Sequence, residues 1–151
     1  MTDEPLNLEI KIEAPPEVVF TYLTDPEKLQ RWHAQHASFD PRPGGAFRLD
    51  ILPGSTAIGE VVELDPPNRL VISWGWEGNE AIPPGSTTVE FTLEATGDYT
   101  LLRLAHRGLP GPEAVALHNQ GWTHYLGRLT VLAAGGDPGP DPQLARGEGN
   151  A

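Results

Sequence analysis

Hydrophobic residues recur every three or four positions between Pro112 and Ala134, near the C-terminal end of the chain. This period places them on one stripe of a helix that faces a core. Pro112 suits the first helical turn, and Gly135 supplies the left-handed residue that commonly follows a helix. The pattern therefore predicts a long helix over 112–134. Its stripe consists of Val115, His118, Trp122, Tyr125, Leu126, Leu129 and Leu132.

One glycine, Gly121, stands in the middle of this predicted helix. Glycine costs a helix interior roughly 1 kcal/mol relative to alanine, so the position calls for a reason. The sequence favours close approach of a strand to the helix at this point. Space for a ligand beside Trp122 is the alternative.

The N-terminal part of the chain predicts one strand and two short helices. Residues 6–13 alternate apolar and polar side chains with a period of two, as in a strand with one face in solvent. The spacing of Val19 and Leu23 then becomes helical. Asp25 is placed to cap a second helix that has Pro26 in its first turn.

From His36 onward, short alternating segments are separated by proline and glycine, a pattern typical of hairpins. Each segment has one apolar face that needs cover, and the long C-terminal helix is large enough to provide it. The sequence therefore predicts an α+β fold in which an antiparallel sheet packs on that helix. The turns that separate these six strands are Pro43-Gly44-Gly45, Pro53-Gly54, Asp65-Pro66-Pro67-Asn68, Pro83-Pro84-Gly85 and Gly97-Asp98.

The chain carries 21 Asp and Glu against 10 Lys and Arg, a formal net charge of −11 over 151 residues. This charge repels phosphate backbones and anionic lipids, so neither nucleic acid nor a membrane is an expected partner. There is no cysteine, which excludes disulfides, thiolate metal sites and a cysteine nucleophile. With no export signal and no apolar run of membrane-spanning length, we expect a cytoplasmic protein.

Length and composition predict a single domain over residues 1–134. The remaining segment, residues 135–151, is dense in glycine, proline and charge and contains few apolar side chains. Such a composition cannot bury enough apolar surface to offset the entropy of ordering. We therefore predict a disordered tail over 135–151.

Several segments, in a constant order, resemble the activator of heat-shock protein 90 ATPase homologue-like family, a branch of the START-related SRPBCC superfamily. The resemblance covers nearly the whole predicted domain. The segments are IEAPPEVVFTYLTDPEKLQRWH at 12–33, DPRPGGAFRLD at 40–50, GEVVELDPPNRLVISW at 59–74, STTVEFTLEA at 86–95, LLRLAHRGLP at 101–110 and GW at 121–122.

The resemblance implies a helix-grip (START-like, Bet v 1-like) fold. In that fold a curved seven-stranded antiparallel sheet surrounds a long C-terminal helix, with two short helices between strands 1 and 2 and a cavity between sheet and helix. Eukaryotic namesakes carry a further N-terminal domain that grips the middle segment of the chaperone. A chain of 151 residues is too short for both domains, so the expectation is a stand-alone cavity protein.

Aromatic and imidazole side chains lie on faces that point inward under this fold. Rings give a small-molecule pocket its contact area, and indole N–H or phenol O–H groups fix the orientation of the ligand. Ordinary core packing is the alternative for each residue. The predicted ligand-binding residues are Trp32, Phe47, Trp74, Trp76, Phe91, His106, His118, Trp122 and Tyr125.

Acid–base chemistry is a second possibility, because His106 and His118 interrupt apolar faces and Glu60 shares the parity of apolar neighbours. A buried carboxylate near an imidazole can transfer protons near neutral pH. Related cavity folds resemble cyclases and dehydratases that act on aromatic polyketides. Two alternatives remain open: Gly59 marks a bulge that turns Glu60 outward, and the histidines are structural groups with hydrogen-bond partners.

A metal site is the weakest hypothesis. His33 and His36 are three residues apart near a helix end, with Asp40 downstream, and imidazoles at that spacing can share an ion. The spacing is common by chance and no third ligand has a defined geometry, so we predict no metal. The chain also lacks phosphate-binding, dinucleotide and hydrolase motifs, and no cofactor is predicted.

Together these observations predict a protein that binds a small hydrophobic or aromatic molecule in a cavity of some hundreds of Å³. A cyclase- or dehydratase-like enzyme using the same cavity is one alternative, and a co-chaperone-like interaction protein is another. Exposed sheet edges permit a homodimer.

Overall fold

The computed structural model describes residues 5–142, which form one antiparallel sheet and three helices. In chain order the elements are β1 (Leu6–Ile12), α1 (Pro16–Thr24), α2 (Pro26–Trp32), β2 (His36–Phe39), β3 (Ala46–Leu52), β4 (Ser55–Asp65), β5 (Arg69–Trp76), β6 (Thr87–Thr96), β7 (Tyr99–Arg107) and α3 (Gly111–Ala133). The predicted α+β helix-grip architecture is confirmed.

The sheet has seven strands in the order β1-β7-β6-β5-β4-β3-β2. Strands β2 to β7 form a meander of hairpins, and β1 joins the end of that meander by pairing with β7, where Leu6 lies opposite His106. Alternation along each strand sends one set of side chains to an inner face, where five residues of α3 are also buried. Those residues are Trp122, Tyr125, Leu126, Leu129 and Leu132.

The helix boundaries follow the signals in the sequence. The carboxylate of Asp25 accepts a hydrogen bond of 2.9 Å from the backbone N–H of Glu27, which confirms Asp25 as the cap of α2. Helix α3 begins and ends one residue earlier than the predicted 112–134. Gly135, with φ of +96°, provides the left-handed turn that follows it.

Strand β4 turns Glu60 away from the core. A Cβ at Gly59 would lie 2.0 Å from the carbonyl oxygen of Ser73, so β5 approaches too closely for any side chain at that position. Glu60 is exposed, and the pairing of β4 with β5 shifts register between Val61 and Glu63. The outward alternative for Glu60 is therefore correct, although the irregularity lies next to Val62 rather than at Gly59.

The structure does not show the close approach of a strand that was the predicted reason for Gly121. A Cβ built at this position meets no atom within 4 Å. No strand approaches the helix there, and the prediction of close packing at Gly121 is wrong. The glycine borders open space on a half-buried side of α3.

After α3 the chain turns back along the helix. Asp141 is only 3% exposed, and its carboxylate accepts a hydrogen bond of 2.5 Å from the hydroxyl of Tyr125. Of the predicted tail, residues 143–151 lie outside the described part of the chain. Within residues 5–142 no helix has the length and hydropathy needed to cross a bilayer.

Candidate functional site

The inner face of the sheet, α3 and the end of α2 bring all nine predicted ligand-binding side chains into one continuous cluster of rings. Trp74 lies at its centre. The ring centroid of Trp74 is 5.0 Å from that of Trp122, 5.4 Å from Trp76 and 6.0 Å from Phe47. Together with His33 the nine side chains form what we call the ring cluster: Trp32, His33, Phe47, Trp74, Trp76, Phe91, His106, His118, Trp122 and Tyr125. Phe39 and His124 lie beside it, 5.8 Å from the ring of Phe47 and 4.6 Å from that of Tyr125, respectively.

Local periodicity explains this convergence. Trp74 and Trp76 are two residues apart on β5, so both point to the inner face. His118, Trp122 and Tyr125 follow each other at steps of four and three on α3 and share one face of that helix. The end of α2 adds Trp32 and the residue that follows it.

His106 links two tryptophans through a chain of hydrogen bonds. The indole N–H of Trp122 donates to Nδ1 of His106 over 3.1 Å, and Nε2 of His106 lies 2.8 Å from the hydroxyl of Thr87. An indole can only donate, so Nδ1 carries no proton and Nε2 donates to Thr87. Thr87 in turn donates to the carbonyl oxygen of Trp74 over 2.8 Å.

His118 is held in the opposite tautomer. Its Nε2 accepts a hydrogen bond of 2.9 Å from the indole N–H of Trp76, and its Nδ1 lies 2.8 Å from the carbonyl oxygen of Ala114. A carbonyl only accepts, so Nδ1 carries the proton. Both predicted histidines are thus neutral groups with both ring nitrogens hydrogen-bonded.

Burial keeps these imidazoles uncharged. Desolvation lowers the pKa of His106 to about 3, and the neighbouring His118 acts in the same direction. Desolvation also lowers the pKa of His118, against a raising contribution from its hydrogen bond to Ala114. At neutral pH the cluster therefore presents polar tips without charge.

His33 is a member of the cluster that the choice of ligand-binding residues missed. Its ring stacks on Trp32 with centroids 4.7 Å apart and lies parallel to Trp74 at 6.1 Å. Burial lowers its pKa to about 3, opposed by the charge of Asp141. The signal was present in the sequence, because His33 shares a helical face with Trp32 and Leu29.

The four tryptophans differ in one respect. The indole N–H groups of Trp76 and Trp122 donate to imidazoles, and that of Trp32 donates to the carbonyl oxygen of Tyr22 over 2.9 Å. Within residues 5–142 the buried indole N–H of Trp74 has no acceptor among the protein groups. A buried donor without a partner costs roughly 1–3 kcal/mol, so this atom asks for an explanation.

The space beside Trp74 is small. A cavity of about 20 Å³ lies between the sheet and the helices and is lined by Trp32, His33, Trp74 and Trp122, among others. That volume holds about one water molecule. The predicted open cavity of some hundreds of Å³ is therefore not found between sheet and helix in residues 5–142, because the large rings themselves occupy the space.

A larger groove, of about 340 Å³, lies on the other face of the sheet, across β1, β7 and β6. Its charged side chains pair with one another: Arg103 with Glu9 over 2.9 Å, and Arg107 with Glu90 over 2.6 Å. The groove is shallow and solvent-facing, and the ring cluster remains the better candidate site.

Asp141 is the second residue that sequence reasoning missed. Its two carboxylate oxygens lie 2.5 Å from the hydroxyl of Tyr125 and 3.0 Å from Nε2 of His124. Desolvation, reinforced by Asp141, raises the pKa of Tyr125 above its ordinary value. Nothing in the Gly- and Pro-rich composition around residue 141 indicates this contact.

The two histidines considered for a metal site lie in different environments. His33 is buried in the ring cluster, whereas His36 is exposed. Across the described residues, no three His, Asp or Glu side chains converge to hold an ion.

Comparison with known proteins places the chain in a family. The family model described as activator of Hsp90 ATPase homolog 1-like protein matches residues 13–134. The AHSA1-like protein of Rhizobium etli, solved by NMR, is 48% identical with a TM-score of 0.76, and the match covers 93% of this chain and 88% of that one. The chain belongs to the AHSA1-like family.

Two further proteins that match this chain are longer. DynU16, a protein of the dynemicin biosynthetic locus, is 27% identical with a TM-score of 0.79; the match covers 91% of this chain but 49% of DynU16. A curated Schizosaccharomyces pombe relative is 28% identical over 112 residues, which are 71% of this chain and 31% of the relative. The chain thus spans half or less of these two proteins.

One structural relative of this AHSA1-like chain is dimeric. The Aha1 dimer of Colwellia psychrerythraea is 24% identical with a TM-score of 0.76, and the match covers 90% of this chain and 98% of that one. At this identity the comparison supports the fold.

Proposed function

We propose that this AHSA1-like protein binds a small, uncharged hydrophobic or aromatic molecule inside the ring cluster, with Trp74 as its polar anchor. The unpartnered indole N–H of Trp74 carries the proposal. A ligand with a hydrogen-bond acceptor would satisfy this donor and recover the roughly 1–3 kcal/mol that its burial costs. The aromatic walls would supply the apolar contact area.

The electrostatics of the cluster favour an uncharged ligand. Burial holds His33 and His106 in their neutral forms, with pKa values of about 3. A charged ligand would lose its hydration without gaining an ion pair from these imidazoles, which is costly in an apolar interior. A ketone, amide or ether carried on an aromatic frame meets both requirements.

Entry of such a ligand requires the interior to open. The present cavity of about 20 Å³ is far smaller than the several hundred Å³ of ordinary ligand sites. The proposal therefore includes a rearrangement of the rings, or of the helices that carry them. The place of DynU16 in a biosynthetic locus links one relative of this fold to small-molecule metabolism.

A matched pair of ligands tests the anchor. We expect 2-acetylnaphthalene, which has a carbonyl acceptor, to bind more tightly than 2-ethylnaphthalene by roughly 5- to 100-fold, the value of one buried hydrogen bond. Calorimetric titration of the wild type and of Trp74→Phe measures both affinities. Trp74→Phe should remove the preference for the ketone.

Trp32→Phe is the matched control, because the indole of Trp32 already donates to a backbone carbonyl. It should retain the preference for the ketone. Absence of binding of either naphthalene to the wild type, or an equal preference in Trp74→Phe, would contradict the proposal.

The acid–base alternative has less support. Glu60 is exposed, and both ring nitrogens of His106 and His118 are engaged in hydrogen bonds. A general base needs a free nitrogen near the substrate. An enzyme using this interior would first have to break one of those hydrogen bonds.

The co-chaperone alternative rests on the description of the family. An ATPase assay of the cognate chaperone, with and without this protein, tests it directly. Stimulation of the ATPase would support the alternative and indicate a functional site on the surface rather than in the interior. The homodimer also remains a prediction, which analytical ultracentrifugation can test.

A further inference from the structure

The segment after α3 reverses direction and returns over the helix. Gly135 takes a φ of +96°, and the chain then runs back far enough for Asp141 to contact Tyr125 and His124. Those two residues lie more than two turns before the end of α3. We call residues 137–142 the strap.

Arg128 of α3 contacts both the strap and the end of α2. Its guanidinium donates to the carbonyl oxygen of Gly139 over 2.9 Å and, through Nε, to the carbonyl oxygen of Trp32 over 3.0 Å. Arg128 belongs to α3 and Trp32 ends α2. The strap is therefore held on α3 beside the point where Arg128 contacts the end of α2.

The junction of α2 and α3 lies next to the ring cluster. Asp141 holds the hydroxyl of Tyr125, and the ring of Tyr125 lies 5.0 Å from that of His33. His33 lines the small cavity beside Trp74. Two rings, those of Tyr125 and His33, thus connect the carboxylate of Asp141 to the space that a ligand would enlarge.

The attachment of the strap is polar. Asp141 is its one buried residue, and the others are half-buried or exposed prolines, glycine and Asp137. A buried carboxylate recovers full hydration on release, which offsets most of the hydrogen bonds it gives up. Segments held with few apolar contacts open at a lower free energy than the domain unfolds.

We propose that the strap is a gate: Asp141 closes the junction of α2 and α3 over Tyr125, and its release admits ligands to the ring cluster. The role in ligand entry rests on the proposed function, whereas the closing of the junction can be measured without any ligand.

Acrylamide quenching of tryptophan fluorescence measures the closing. Asp141→Ala in the full chain should raise the quenching constant of the buried tryptophans by roughly twofold or more, because the open state becomes more populated. Asp141→Asn keeps an acceptor for Tyr125 and should give an intermediate value. Asp98→Ala, an exposed aspartate in the turn between β6 and β7, is the matched control and should equal the wild type.

Near-UV circular dichroism distinguishes opening from unfolding in these variants. If Asp141→Ala loses the native spectrum, the comparison rests on Asp141→Asn. A quenching constant of the folded variant equal to that of the wild type and of Asp98→Ala would overturn the gate.

Stopped-flow binding of 2-acetylnaphthalene then tests ligand entry. Asp141→Ala should increase the association and dissociation rates together by about tenfold or more, the effect of losing one or both of its hydrogen bonds to Tyr125 and His124, with a smaller change in Kd. Equal rates in wild type and variant would contradict the gate while leaving the proposed function intact. Absence of binding in every variant would contradict the proposed function, and the quenching result would still decide whether the strap closes the junction.

Discussion

The two faces of the sheet solve the problem of polar groups in opposite ways. On the inner face, polar atoms belong to neutral indoles, imidazoles and hydroxyls that bond to one another, such as Thr87 with His106. On the outer face of the same strands, arginines pair with glutamates in solvent. The difference follows from desolvation. Burying a charge carries a large free-energy penalty, whereas burying a neutral polar group carries a small one once the group is hydrogen-bonded.

Strand β6 shows both solutions within four residues. Thr87 points inward and is 3% exposed, whereas Glu90 points outward between Arg107, at 2.6 Å, and Arg69. Hydrogen bonding to Arg107 first, and to Arg69 as well, lowers the pKa of Glu90 despite some desolvation. Period-two alternation alone determines which chemistry each residue meets. The inner face should therefore be sensitive to proton and hydrogen-bond changes, and the outer face tolerant of them.

Acid should produce the largest difference between the faces. The pKa values of His33 and His106 fall from 6.5 in the unfolded chain to about 3 in the fold. Below pH 6.5 these histidines bind protons in the unfolded chain but stay neutral in the folded chain. The free energy of unfolding therefore falls as the pH falls towards 3. The expected loss is roughly 1.4 kcal/mol per pH unit for each histidine.

Urea unfolding between pH 7 and pH 5 measures this slope, which is the change in the free energy of unfolding per pH unit. The range lies above the pH at which most carboxylates titrate. His33→Gln should reduce the slope by roughly a third to a half, because His106 and His118, whose pKa values are also lowered, account for the rest, if the variant folds with the same urea dependence. The control is His36→Gln, at an exposed position, which should leave the slope unchanged. Equal slopes for wild type and His33→Gln would show that the inner face is not closed to protons.

Removal of one inner hydroxyl should have the next largest effect. Thr87→Val deprives Nε2 of His106 of its acceptor and the carbonyl of Trp74 of a donor, so we expect a loss of roughly 1–3 kcal/mol in the free energy of unfolding. Thr87→Ser keeps the hydroxyl and should lose less. Chemical denaturation of the two variants provides the comparison, and equal losses would contradict the role of the hydroxyl.

Gly121 offers a change of opposite sign. Since a Cβ there meets no atom within 4 Å, Gly121→Ala should stabilise the protein by up to about 1 kcal/mol through helix propensity. Thermal unfolding measures the shift. A loss of stability would mean that the space beside Gly121 closes in solution.

The outer face should respond least. Glu90→Gln weakens the pairs with Arg69 and Arg107; Glu90 is only 17% exposed, but both arginines are at least a third exposed, so we expect a loss of roughly 1 kcal/mol or less. The loss should shrink further in 0.5 M salt, because exposed charges are screened. A loss as large as that of Thr87→Val would erase the contrast between the two faces.

Much of this organisation was predictable from local pattern. Alternation on β5 and three- and four-residue steps on α3 are sufficient to place Trp74, Trp76, Trp122 and Tyr125 inside. Asp25 as a cap followed from its position before a proline. These features depend on near neighbours in the chain, which the sequence displays.

Features that depend on three-dimensional packing were not predictable in the same way. Whether the rings enclose a cavity depends on how they fill space together, and periodicity carries no information about volume. The register shift next to Val62 and the open space at Gly121 likewise arise from contacts between distant segments. The contact of Asp141 could not be predicted, because the composition of a segment does not identify the single residue that makes a contact.

The indole resonance of Trp74 tests the central claim most directly. Four tryptophans give four indole peaks in a ¹H–¹⁵N spectrum, and Trp74→Phe assigns the relevant one by its absence. We expect addition of 2-acetylnaphthalene to move the Trp74 peak more than the other three and downfield, as its proton gains an acceptor. A Trp74 peak that stays in place at saturating 2-acetylnaphthalene would contradict the claim that this buried donor anchors a ligand.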